Sequence, residues 1–305
     1  MKPLLKTLSL VAALTACATT RPSTTSPFDS VVSAAERRCL CRVGIAARHL
    51  ESGRFYEHNA EAEFEPASVI KIAVLTEAMA AVREGRVDLS ERWGLSEDNK
   101  ADGSGILLMM DAGLSPTWND LATLMIGPSD NTAANAWIER LGIDRINSRM
   151  ESLGFPHIRL FARIPDAARK DETPSPWKGF RLGSLTPHEV SEWMTRVARG
   201  ELLDADSSRR IFDYLDKDPS RLRIARRFPP GMLWAGKTGT MAGVRNDSGI
   251  LRTKEGRFVL AIFTDGSKAE GFGPDHPAVL AMADLAKTIV DEWTKDLPDI
   301  VEKPE

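Results

Sequence analysis

Three short segments of this chain carry residues whose types and spacing can do acyl-transfer chemistry. In Ser68-Val69-Ile70-Lys71 a hydroxyl and an amine stand three positions apart, and such positions share a face at a helix start. Serine is a weak nucleophile at neutral pH and needs a base. A lysine serves once burial or a second cation lowers its pKa. The start of a helix adds N–H groups and positive potential beside a reacting carbonyl. Alone the pair decides nothing, because on the order of one Ser-x-x-Lys is expected by chance in a chain this long. A serine cap followed by a solvated lysine would look the same.

The second segment is Ser129-Asp130-Asn131. Its Ser129 hydroxyl can relay a proton between Lys71 and a leaving group, and Asn131 can hydrogen-bond a substrate amide. Asp130 reads as structural, tying a turn through backbone N–H groups, and turns favour all three residue types in any case. The third is Lys237-Thr238-Gly239-Thr240. Lys237 is a cation for a substrate carboxylate and helps to keep Lys71 neutral. Thr238 can donate to the same carboxylate, and Gly239 lets a substrate backbone lie against a strand edge. The N–H groups of Thr240 and Ser68 are candidates for an oxyanion hole. All three segments in this order, on helix, turn and strand, would arise by chance on the order of one per cent of the time or less.

The surrounding pattern supplies those elements. Helical spacing runs over 29–38, 68–85, 118–126, 132–141, 143–153, 187–199 and 206–216, with an amphipathic closing helix over 277–297. Alternation predicts a strand over 42–50 that turns into a hairpin, and further strands over 232–237, 245–251 and 258–264. Strands therefore sit at both chain ends and helices fill the middle. The expected fold is α+β: an antiparallel sheet built from both chain ends and flanked by helices, with an all-helical unit inserted. The α/β part is expected at 29–71 and 217–298 and the helical part at 72–216, followed by a tail over 299–305. Residues 161–185 have little periodicity, and so long a loop inside a compact domain is usually functional.

Composition sets the class and the address. With 305 residues, 42% hydrophobic and 27% charged, the chain is an ordinary globule able to bury a core. A net charge of −3 gives no electrostatic case for nucleic acid. Lys2 and Lys6, the apolar run over 8–14 and the small residues before Cys17 form a secretory leader pattern. Leu14-Thr15-Ala16-Cys17 resembles a bacterial lipobox, so residues 1–17 are expected to be a signal peptide that leaves Cys17 lipidated, on the periplasmic side of the cell envelope. A plain cleaved leader is the alternative. Residues 18–28 read as a flexible tether. Cys39 and Cys41, two apart, are expected to be packing residues rather than a disulfide. His49, His58, His157, His188 and His276 show no ligand spacing, so no metal or cofactor is expected. The domain is expected to be a monomer.

The ordered trio is the signature of class A β-lactamases and penicillin-binding proteins. Residues 64–71 resemble that family's nucleophile segment, and residues 125–135 (MIGPSDNTAAN) resemble its central motif closely. Gly103 to Leu107 and Leu121 to Leu124 resemble a branch of it, and the likeness runs from about 29 to 297. The resemblance implies an acyl-enzyme serine hydrolase. Its substrate would be a small β-lactam, or else a D-alanyl-D-alanine peptide or an ester. Two departures stand out. The family's loop glutamate, which orients the deacylating water, falls near Ile164 or Pro165, so Asp166 is the best substitute. The family's loop asparagine is missing too, with Lys170 in its place. A carboxylate-binding arginine expected just before a glycine is replaced by Ser248-Gly249, leaving Arg245 to compensate. One decoy is Gly231 to Thr238, a formal P-loop pattern. Pro229-Pro230 before it and a strand-like stretch after it argue against a strand–loop–helix nucleotide site. A catalytically silent binding protein is a further alternative.

Overall fold

A computed structural model describes residues 26–164 and 179–300. The leader with Cys17, most of the tether, Asp166, Lys170 and the last five residues lie outside the described residues. The first helix, α1 (Asp29–Cys39), leads into a hairpin of β1 (Arg42–His49) and β2 (Phe55–His58). A 3-10 turn over Ala67–Ile70 passes into α2 (Lys71–Arg83). Then come α3 (Trp118–Ile126), α4 (Asn131–Leu141) and α5 (Ile143–Ser152). Two residues of β3 (Arg159–Leu160) pair with β4 (Gly183–Ser184), ahead of α6 (Pro187–Arg199) and α7 (Ala205–Leu215). The chain closes with β5 (Trp234–Met241), β6 (Val244–Thr253), β7 (Gly256–Asp265) and α8 (Pro277–Thr294).

The five long strands form one antiparallel sheet in the order β2-β1-β7-β6-β5, so both chain ends build it, as the sequence pattern implied. Side chains alternate across each strand, and this divides the core. On one face Trp234, Leu251, Phe258, Leu260 and Ile262 pack on α1 and α8. On the other, Ala235, Ile250, Val259, Ala261 and Phe263 join the helical layer around α2. Helix α2 is apolar nearly all round and buried over eleven consecutive residues, from Lys71 to Ala81, as expected of a helix with neighbours on every side. β5 and β2 are the two edge strands, and β5 packs with β6 against the turn at Ala67–Ile70.

Two sequence expectations change. Ser68 lies in a 3-10 turn before the α-helix rather than in its first α turn. Cys39 and Cys41 are joined by a disulfide. They do not share a strand: Cys39 ends α1, Leu40 takes a left-handed conformation (φ 47°), and Cys41 leaves in a new direction. That reversal brings the two Cα atoms to 5.2 Å, within bridging range. The P-loop-like segment is a strand in register with β6, with no helix after it, so it lacks a phosphate-binding nest.

Candidate active site

The site lies where α2 begins, between the 129–131 turn and the β5 edge. Ser68 is half-buried. The residue before it, Ala67, has a left-handed backbone (φ 47°), and Ser129 has another (φ 59°). Such conformations cost a non-glycine residue about 1 kcal/mol or more and persist only where surroundings enforce them. The enforcers are visible. Asn246 on β6 donates from Nδ2 to the carbonyls of Glu65 (2.8 Å) and Pro66 (3.2 Å), fastening the nucleophile turn to the sheet. Gly239 completes the fit: a Cβ there would lie 2.6 Å from the Pro66 carbonyl oxygen and 3.2 Å from the Ala67 Cβ. It thereby allows close approach of the strand to the nucleophile turn.

Lys71 is fully buried. Its Nζ lies 2.6 Å from the Ser129 carbonyl oxygen, 2.8 Å from Asn131 Oδ1 and 3.2 Å from Ser129 Oγ. Burial pushes its pKa well below the usual lysine range, the charge of Lys237 pushes the same way, and Asp130 opposes them. A neutral amine has two N–H donors and one lone pair. The two short contacts to acceptors use the donors, which leaves the lone pair for a hydroxyl proton.

Asp130 is scaffolding. Its Oδ1 caps α4 through the Ala133 N–H (2.9 Å), and its Oδ2 accepts from Ile106 (2.7 Å) and Leu107 (2.8 Å). Gly105 makes that approach possible, since a Cβ would sit 2.3 Å from Asp130 Oδ2 and the backbone needs φ +120°. Asn131 is tied at both ends of its amide. Beyond Lys71, its Nδ2 donates to the Asp102 carbonyl (2.8 Å), leaving one amide hydrogen for a ligand.

On the other side, Lys237 is also fully buried, with its Nζ 3.2 Å from the Thr238 carbonyl oxygen. Burial lowers its pKa and Arg223 adds to this, while Asp218 and Asp247 oppose it. Thr238 is half-buried and Thr240 exposed, both on the sheet edge. Arg245 does not reach them. Its guanidinium donates to the carbonyls of Met241 (2.7 Å), Val244 (2.6 Å) and Gly271 (2.5 Å) and lies over the Phe272 ring. Arg223 stands at the edge instead. It donates to the carbonyls of Gly239 (2.7 Å) and Asn246 (2.6 Å) and to Thr240 Oγ1. Sequence reasoning missed Arg223 and Asn246. Arg223 is one of four arginines between 221 and 227, and spacing gives no reason to single it out.

The loop after β3 is held at both described ends. Asn135 on α4 brackets Ile164, accepting from its N–H at 2.8 Å and donating to its carbonyl. The Ile164 side chain is buried in the core. Glu65, just before the nucleophile turn, accepts from Arg181 (2.8 Å) and Leu182 (3.0 Å). Of the two positions aligned with a water-orienting glutamate, Ile164 carries an apolar, buried side chain and Pro165 lies outside the described residues. Among the described residues there is no group of His, Cys, Asp and Glu placed to hold a metal ion.

A model of the β-lactamase enzyme family matches residues 27–293. Among solved structures, the β-lactamase from Sphaerobacter thermophilus superposes with a TM-score of 0.77 at 29% identity, covering 88% of this chain and 97% of that one. A single-substitution variant of PBP-A, in an acyl-enzyme complex with penicillin G, gives 0.76 at 25% identity over 87% and 95%. An ancestral class A β-lactamase gives 0.76 at 20% identity over 86% and 98%, a likeness of fold alone. No curated protein sequence matches the chain.

Proposed function

The chain belongs to the β-lactamase enzyme family, and from that premise we propose that it opens β-lactams through an acyl-enzyme on Ser68. The observation that carries this is the Lys71 amine: fully buried, its donors taken up by Ser129 and Asn131, and depressed by Lys237. Such an amine is a base at neutral pH. The Ser68 Oγ attacks the lactam carbonyl carbon as its proton passes to Lys71, directly or through Ser129 Oγ. Main-chain N–H groups of Ser68 and Thr240 stabilise the oxyanion. The same proton reaches the lactam nitrogen through Ser129 as the C–N bond breaks. Lys237, Thr238 and Arg223 receive the substrate carboxylate, with Asn131 on the amide side. Water then attacks the ester carbonyl, releasing the acid and restoring the Ser68 hydroxyl.

One observation favours a second reading on the same scaffold. Ile164 offers no carboxylate to orient that water, so deacylation falls to Asp166 or proceeds slowly. Slow release suits a D-alanyl-D-alanine peptidase or an esterase, for which penicillin is a long-lived acyl group. Intact-mass analysis with excess penicillin G separates the two. Loss of drug without a lasting adduct marks a lactamase, and a persistent adduct on Ser68 marks the peptidase reading. Ser68→Ala should abolish both, and retained turnover in that variant sinks the mechanism. The lipobox at Cys17 supports an exported, lipid-anchored protein, which places it with cell-envelope substrates; radiolabelled palmitate incorporation that is lost in Cys17→Ser tests that address.

A further inference from the structure

Building on that reading of the cleft, we propose that Asp247 is a positioning residue that makes the grip on a substrate carboxylate proton-linked: a carboxylate-bearing ligand binds together with one proton taken up at Asp247. Asp247 lies opposite Thr238 in the β5–β6 register and is fully buried. Its Oδ2 accepts from the Ile224 N–H at 3.0 Å, and its Oδ1 has no hydrogen-bond partner among the described residues. Ile224 directly follows Arg223. The bond therefore fixes the main chain from which the guanidinium reaches Gly239, Asn246 and Thr240. Those acceptors take three of the five N–H groups of Arg223, and it faces Asp247 as a neighbouring charge rather than a hydrogen-bonded partner.

Asp218 is the second carboxyl of the group. One oxygen accepts from Ser220 at 2.8 Å, and the other is buried without a partner. Lys237, Arg223, Asp218 and Asp247 sum to zero when all four are ionised. A substrate carboxylate added at Thr238, Thr240, Lys237 and Arg223 leaves one uncompensated negative charge beside these buried groups. A proton on Asp247 restores the balance. Its open oxygen can carry that proton without breaking an existing bond. Burial raises Asp247 to about 7 and Asp218 adds to this, with Arg223, the Ile224 N–H and Lys237 opposing. The group therefore changes charge near neutrality even before a ligand arrives.

Burial raises Asp218 too, but Lys237, the N–H groups of Ser220 and Thr238 and Arg223 all oppose that rise; charges outside the four do not reproduce the effect. His276, at the start of α8, feels Arg245 and Arg223, but burial lowers its pKa away from 7. Arg245 is committed to three carbonyls, and Arg226 and Arg227 turn outward to Asp275 and Asp284. Lys71 lies beyond Lys237, with Asp130 on its side of the cleft.

The test measures equilibrium binding by calorimetry in the Ser68→Ala background, so no acylation intervenes. The ligands are penicillin G and its methyl ester, which lacks the carboxylate. Penicillin G should bind about fivefold more tightly at about pH 6 than at about pH 8, the part of one pKa unit of coupling that falls within that window. It should also take up a proton, read as an enthalpy that varies with buffer. The ester should show neither effect. Adding Asp247→Asn, which keeps an acceptor for Ile224, should remove both the step near pH 7 and the proton uptake. Uptake that persists in Asp247→Asn, or an equal pH step with the ester, overturns the proposal, as does absence of penicillin G binding. Fluorophosphonate labelling of wild-type Ser68 reports separately on the acyl-transfer reading: labelling without the proton link sinks only the inference, whereas a proton-linked grip without labelling sinks only the reading.

Discussion

Lys71 and Lys237 are both fully buried ammonium groups on one cleft, yet their surroundings assign them different work. Lys71 is held by a carbonyl, an amide oxygen and a hydroxyl, and the carboxylate nearest it, Asp130, is committed to three main-chain N–H groups. With no carboxylate in contact and a second cation nearby, its pKa is driven well below the usual lysine range, which suits the proposed base. Lys237 sits with two buried carboxyls that oppose the lowering of its pKa by burial. In the proposed mechanism one residue type thus supplies the base and the cation, and where the acidic groups point makes the partition.

The hardest blow to that partition is Lys71→Ala. Removing a general base should slow acylation of Ser68 about 10³-fold, measured by stopped-flow or mass labelling. In the wild type the acylation rate should rise with pH until Lys71 loses its proton and then level off, because only the neutral amine accepts a proton. A rate independent of Lys71 would erase the comparison.

Lys237→Ala should act on both members of the pair. Loss of a charge-assisted contact to the substrate carboxylate should lower kcat/KM about 10- to 100-fold. One cause of the depressed Lys71 pKa also disappears, so the acid limb of the pH–rate profile should move to higher pH. An unmoved limb would mean that burial alone sets the Lys71 pKa.

Asn135→Ala should leave the comparison intact while loosening its frame. The N–H and carbonyl of Ile164 would lose their partner in a buried place, costing about 2 kcal/mol in urea unfolding. Asp247→Asn should have the opposite sign. The folded carboxyl titrates near 7, against an ordinary 3.8, so between those values the folded state holds more protons than the unfolded chain. Wild-type stability therefore falls across that window as pH rises. The variant should be more stable than the wild type at about pH 8 and no different at about pH 3. A gain of equal size at both ends would mean that the effect is packing and not charge.

Much of this was legible in the chain. The long helices and strands came through because apolar residues repeat at helical or alternating spacing over long stretches, and the three motif segments stood out because each pairs unusual chemistry with a required element. The 3-10 geometry at Ser68, the two-residue pairing of Arg159–Leu160 with Gly183–Ser184, and the Cys39–Cys41 bridge did not. Each depends on a single backbone reversal or a contact distant in sequence, and neither leaves a periodic trace.

What the sequence determined by itself was the set of reacting groups: a hydroxyl, an amine three residues on, a relay hydroxyl, and a strand ending in Lys-Thr-Gly-Thr. What only the tertiary structure decided was which charges face one another. It turned Arg245 toward main-chain carbonyls and brought Arg223 to the sheet edge, and it sealed Asp218 and Asp247 beside Lys237. Burial and distance set pKa values, and both are properties of packing between segments far apart in the chain.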